Sequence, residues 1–288
     1  MENASHNFGG NWTEEKLKRI RKYLVAYATI MNKQAFRFAY IDAFAGTGYR
    51  TVKQNEIDDF LFPEFAECET KSFLDGSARI ALQVKPRFTK YLFVERDSEK
   101  VNVLENLRKE FPALGKDIGI VNQDANAYLQ DLCLHYSWQK SRAVLFLDPY
   151  GMQVTWNTIE AIAKTKAIDL WLLFPLGVAV NRLLKKDGKI NAGFRKRLDQ
   201  MFGTTDWFKH FYSVKTRTSL FGEERGLEKT GNFDTIGNYF VSRLKEVFPK
   251  VAEKPLALRN SKNNPLYLLC FASTNSVALK IARDVLGN

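Results

Sequence analysis

Two periods alternate along this chain, and the switches between them outline its elements. Residues 11–34 carry the helical period. Leu17, Ile20, Leu24, Tyr27 and Met31 fall on one stripe behind Trp12-Thr13-Glu14-Glu15-Lys16, with Thr13 as the expected N-cap and acids in the first turn. Next comes Ala39-Tyr40-Ile41-Asp42-Ala43-Phe44-Ala45-Gly46-Thr47-Gly48, a short apolar run ending in glycines, which predicts a strand buried on both faces and then a tight turn. Four more such runs follow, at Thr89–Val94, Gly119–Gln123, Arg142–Leu147 and Ile168–Phe174. The intervening stretches, Ala78–Val84, Ser98–Phe111, Ala125–Ser137 and Trp156–Lys164, read as helices. Strands alternating with helices predict right-handed crossovers and an α/β fold, a mostly parallel doubly wound sheet with helices on both faces.

Two stretches break the alternation. Residues 49–75 are rich in acids (Glu56, Asp58, Asp59, Glu64, Glu67, Glu69, Asp75) and lack periodicity, which predicts an insertion near the ligand mouth. Residues 183–232 combine basic and aromatic side chains and form a second expected insertion, a basic lobe. A helix over Phe233–Phe248, strands near Pro255–Leu258 and Leu266–Ser273, and a last helix over Ser276–Leu286 return to the core pattern. The expected organisation is therefore a helical segment at 1–35, a core at 36–182, the lobe at 183–232 and core elements again at 233–288.

Composition adds one functional hint. The net charge is +11 with a pI near 9.4, and aromatics make up 13% of the chain. Basic residues close to aromatics suit nucleic acid, and Lys185, Lys186, Lys189, Arg195, Lys196 and Arg197, followed by Trp207, Phe208, Phe211 and Tyr212, are the expected contact region. Cys68, Cys133 and Cys270 are widely spaced, so neither a disulfide framework nor a metal site is expected. The sequence shows no signal-peptide pattern and no membrane-length apolar run, which predicts a cytoplasmic protein.

The candidate chemistry lies where strands end. Asp42, Glu95, Asp124 and Asp148 each stand at or just after a strand, on the carboxyl edge where open α/β sheets bind ligands. A carboxylate after the second strand suits ribose hydroxyls, and one after the third suits an adenine amine. A dinucleotide is disfavoured: Gly46-Thr47-Gly48 leads into acids, and Glu95 comes far later than the roughly 20 residues of that fingerprint. A nucleoside cofactor without phosphates, S-adenosylmethionine, fits better, with Asp42, Phe44, Gly46, Gly48, Glu95 and Asp124 around it.

Asp148-Pro149-Tyr150-Gly151 resembles the Asp-Pro-Pro-Tyr/Phe element with which class I methyltransferases act on exocyclic amines of bases, with one proline where that element has two. The resemblance implies catalytic roles. Asp148 and the Pro149 carbonyl would accept from the amine, and Tyr150 would stack on a base turned out of its helix. Together with Trp12–Leu17, Tyr40–Gly46, Asp75-Gly76-Ser77 and Phe93-Val94-Glu95, it makes residues 11–180 resemble the three-Cys-motif partner family, TcmP. That resemblance implies a Rossmann-like class I methyltransferase fold and a separate three-Cys-motif partner protein. Two functions follow as expectations: a methyltransferase acting on an adenine-like amine of nucleic acid, or a methyltransferase-fold accessory module serving that partner with little turnover.

Overall fold

The computed structural model describes residues 11–45, 76–219 and 222–287. Gly46, Gly48 and the acidic stretch 49–75 lie outside them. The core is an eight-stranded sheet built from β1 (Arg37–Ala43), β2 (Lys90–Glu95), β3 (Ile118–Asn122), β4 (Ser141–Leu147), β5 (Ile168–Phe174), β8 (Lys250–Val251), β9 (Leu256–Arg259) and β10 (Pro265–Ser273). Its order is β3-β2-β1-β4-β5-β10-β8, with β9 also paired to β10. The first five strands run parallel, and β10 lies antiparallel to β5. This is the Rossmann-like class I methyltransferase fold expected from the strand–helix alternation. Among the described residues, no helix is long and apolar enough to cross a membrane.

Both faces of the sheet are covered, and strand periodicity sorts the side chains between them. Ala143, Leu145 and Leu147 of β4 point to one face, Val144 and Phe146 to the other. The first face packs against α4 (Ala125–His135), α5 (Trp156–Thr165), α6 (Ala192–Phe202), α7 (Trp207–Phe211) and α8 (Phe233–Val247). The second packs against α1 (Asn11–Met31), α2 (Ser77–Gln83), α3 (Ser98–Glu110) and α9 (Ser276–Leu286).

Helix α1 differs from its expectation at both ends. It begins at Asn11, so Thr13 is not its cap but a buried residue of the first turn. It stops at Met31, where tighter backbone bonds take over, Lys33 N to Ile30 O (3.1 Å) and Gln34 N to Met31 O (3.0 Å). Its buried stripe runs through Lys16, Ile20, Tyr23, Leu24 and Tyr27, whereas Leu17 is only half-buried. Tyr23 is there for a polar reason: its hydroxyl donates to Asp169 Oδ2 at 2.8 Å, and Ser273 donates to the other oxygen. Burial pushes the Asp169 carboxyl up to about 6, against the pull of those two hydrogen bonds.

Residues 183–232 hold more order than the sequence predicts. A π-helical turn, Leu176–Val180, continues into Asn181–Leu183, then α6 and α7, then a separate antiparallel pair, β6 (Tyr212–Ser219) and β7 (Gly222–Lys229). Trp207 and Phe211 are fully buried and Tyr212 nearly so, packed with Phe202 and Tyr239 beneath α8. The aromatics expected to face bases are thus largely core, because burying such rings contributes more than solvating them.

Candidate active site

The carboxyl edge of the parallel strands brings the predicted acids together. Ala43 pairs in register with Val94 on β2 and with Leu147 on β4. The next residues, Phe44, Glu95 and Asp148, therefore stand level across three adjacent strands. Glu95 and Asp148 continue the alternation of Tyr91/Phe93 and Val144/Phe146, on the face covered by α1 and α2. Asp42 shares that face with Tyr40. Phe44 leaves β1 with φ at 74°, and its amide still donates to Val94 O (3.1 Å), so the chain curls across the end of β2.

Asp42 is fully buried. Its Oδ2 accepts from Ser77 Oγ (2.8 Å) and Tyr40 OH (3.0 Å), while Oδ1 is buried without a hydrogen-bond partner among the described residues. Burial pushes this carboxyl up to about 7; Ser77, Tyr40 and the Lys16 charge pull it down, and the Asp148 charge adds to the rise. Glu95 is 4% exposed, and its Oε1 accepts from the Asp97 amide at 2.7 Å. Its Oε2 is buried and likewise has no partner there. Burial raises the Glu95 carboxyl above its ordinary value, against the Asp97 amide and Lys100. A buried carboxylate oxygen without a donor costs free energy, so both oxygens are poised for donors brought by a ligand.

Asp148 follows β4 as predicted, but it already has a partner that the sequence reading missed. Lys16 Nζ donates to its Oδ2 at 2.6 Å, and the two side chains are 3% and 9% exposed. Lys16 also lies 5.2 Å from the Trp12 ring centre, and Trp12 stacks on Tyr267 of β10. The first turn of α1 thus covers the Asp-Pro-Tyr turn. One signal for this was present: a lysine at position 16 falls on the same helical stripe as Ile20 and Tyr23. Pro149 is buried, Tyr150 is half-buried, and Gly151 takes φ at 63° to close the turn.

Asp124 sits on the same edge but is exposed, and its Oδ1 caps α4 by accepting from the Ala127 amide (3.0 Å). Gly46 and Gly48 lie outside the described residues. Lys185, Lys186, Lys189, Arg195, Lys196 and Arg197 are all exposed. Lys185 and Lys186 follow the turn that leaves β5, the neighbour of β4, and so lie on the site's edge of the sheet. The Arg195 guanidinium rests 4.5 Å from the Phe208 ring centre.

No protein-family model matches this chain, and no curated protein does. Among solved structures, it is similar to spermidine synthase from Thermotoga maritima (10% identical, 94% of this chain against 62% of that one, TM-score 0.39). It is also similar to protein LPL1258 from Legionella pneumophila (14%, 81% against 94%, TM-score 0.39). A third is magnesium protoporphyrin IX methyltransferase from Synechocystis PCC 6803 with bound S-adenosylhomocysteine (14%, 75% against 82%, TM-score 0.32). The fold assignment rests on strand order and direction rather than on these distant likenesses.

Proposed function

We propose that this chain is an S-adenosylmethionine-dependent methyltransferase acting on an adenine-like exocyclic amine of nucleic acid. The observation that supports it most is the pair of buried carboxylate oxygens without donors, Glu95 Oε2 and Asp42 Oδ1, at the ends of adjacent strands. They fit a nucleoside cofactor, whose ribose hydroxyls and ammonium are donors. Glu95 would take the ribose, Asp42 and the curled backbone at Phe44 would line the adjoining part, and Asp124 would approach the adenine amine. Bound there, the cofactor supplies an electrophilic methyl group.

The chain's own part is positioning and charge. The Asp148 carboxylate and the Pro149 carbonyl accept from the acceptor amine and turn its lone pair toward the methyl. As the nitrogen becomes cationic, the Asp148 charge stabilises it more than it stabilised the neutral amine, which is what lowers a barrier. Tyr150 supports the extruded base. Lys185, Lys186, Lys189, Arg195, Lys196 and Arg197 hold phosphates.

The Lys16–Asp148 ion pair favours a second reading. An ammonium already occupies the carboxylate that the amine would use, as suits an accessory module that serves a three-Cys-motif partner and turns over little. Calorimetry and single-turnover transfer separate the two. Glu95→Ala should weaken cofactor binding by about 1.5–3 kcal/mol, the range for charge-assisted hydrogen bonds, and unchanged affinity would remove Glu95 from the site. Asp148→Asn should keep cofactor affinity and lose transfer to RNA or DNA. Wild-type transfer by that variant would make the turn structural. A wild type that binds cofactor and the three-Cys-motif partner but transfers nothing would favour the accessory role.

A further inference from the structure

Strands β6 and β7, eight residues each, form a ribbon that belongs to no part of the main sheet. Their register places Tyr212 with Lys229, Val214 with Leu227 and Thr216 with Arg225 on one face. Ser213 with Glu228 and Lys215 with Gly226 lie on the other. The foot is tied to the basic segment. Tyr212 OH donates to Lys185 O (2.9 Å), Lys229 N to Lys186 O (3.1 Å), and Lys229 Nζ to Asn181 Oδ1 (2.7 Å).

Beyond the foot, both faces are open to water. Val214 is 69% exposed and Leu227 41%, and Ser213, Lys215, Thr216, Arg225 and Gly226 are exposed as well. A two-stranded ribbon without a covered face is marginal by itself and gains from a partner. Its charge indicates which. The face bearing Val214, Thr216, Leu227 and Arg225 rises from Lys185 and Lys186, while Glu228 is turned to the opposite face and engaged by Lys215 at 2.7 Å.

We infer that this ribbon is a docking arm for double-helical DNA, laid in the major groove with its Val214–Leu227 face toward the base edges. The inference rests on the nucleic-acid function proposed for the site and narrows its substrate to a duplex. At about 3.3 Å per residue the arm is roughly 25 Å long. A major groove about 12 Å wide admits a two-stranded ribbon. Arginine and threonine are readers of base edges, and Val214 and Leu227 offer apolar contact to thymine methyls. The basic segment at the foot would meet the flanking phosphates.

A single strand is less well served, because its bases need open aromatic faces. Here Trp207, Phe211 and Tyr212 are buried, and Phe208 stacks on Tyr212 at 4.7 Å beneath Arg195. Duplex RNA is disfavoured as well, since its major groove is too narrow for side chains to read.

The test compares the full chain with two variants on one mixed-sequence DNA duplex, on the same sequence as an RNA duplex, and on its single strands. In one variant Asn-Gly replaces residues 214–227 and closes the hairpin on Ser213 and Glu228. In the other, the exposed side chains alone are changed, by Val214→Ser, Arg225→Ala and Leu227→Ser, so the fold is not at risk. Wild type should bind DNA duplex about tenfold or more tighter than the other two forms, and each variant should lose about tenfold or more of that affinity. Equal binding by wild type and both variants would overturn the inference, as would a preference for single strands or RNA, or a ribbon that is needed to bind the three-Cys-motif partner but not DNA. Cofactor affinity, measured separately, should not change in either variant. Its retention would leave the methyltransferase reading standing even if the arm failed.

Discussion

Replacing Lys16 by methionine tests the contact that joins α1 to the candidate active site. Lys16 Nζ lies 2.6 Å from Asp148 Oδ2, and both side chains are almost wholly removed from water. Methionine keeps the length of the side chain and its contact with Trp12 but leaves the Asp148 carboxylate buried without its ammonium. Removing one partner of a buried pair costs about 3–5 kcal/mol. The upper part of that range is expected, because Asp42 lies close enough for its carboxyl to be raised by the Asp148 charge. Such a loss would be a large part of a total stability on the order of 5–15 kcal/mol. Urea unfolding at neutral pH measures it, and the midpoint should fall with an unchanged slope. Adding Asp148→Asn to Lys16→Met should recover most of the loss, since the stranded charge is then gone. A loss below about 1 kcal/mol, the range of exposed pairs, would refute the reasoning. So would a double variant no more stable than the single one, because the cost would then lie in packing rather than charge.

Three further outcomes follow from the same structure. Because the folded-state carboxyl of Asp42 is raised to about 7, wild type holds its proton more tightly folded than unfolded, and this contribution to stability is lost as pH rises from about 4 to 7. Asp42→Asn should therefore gain stability relative to wild type across that window, as read by unfolding at each pH, and a constant difference would contradict the assignment. Gly203 ends α6 with φ at 67°, and an added Cβ would fall 2.1 Å from Trp156 Cδ1, so Gly203→Ala should cost about 2–4 kcal/mol in unfolding experiments from backbone strain and overpacking together. Changing Arg195, Lys196 and Arg197 together to glutamine should flatten the slope of log affinity for nucleic acid against log salt by about one unit for each phosphate these side chains neutralise; an unchanged slope would make them an ordinary solvated surface.

The order of strands and helices was legible in the sequence because each core strand is a short apolar run between turns, and that signal is local. The last helix, Ser276–Leu286, and the fifth strand, Ile168–Phe174, appear in the structure with the bounds the pattern predicts. The strand-end acids were legible for the same reason: where a parallel strand ends, its next side chain stands on the ligand edge. Less was legible between 183 and 232, where β6 and β7 carry alternating charges and small residues rather than an apolar face. Their pairing buries little, so hydrophobic pattern had nothing to report.

What only the tertiary structure decided is which of these groups meet. Lys16 and Asp148 are separated by most of the core in sequence, and so are Tyr23 and Asp169, yet both pairs are buried contacts between α1 and the sheet. Nothing local distinguishes a buried lysine from a solvated one, because its environment is made by elements far along the chain. The same holds for the rings of 207–212, whose composition suggested bases and whose packing under α8 makes them core. Periodicity records which side of an element is apolar. Only the assembled layers determine what covers that side, and therefore which charges are paired and which carboxylate oxygens are left waiting for a ligand.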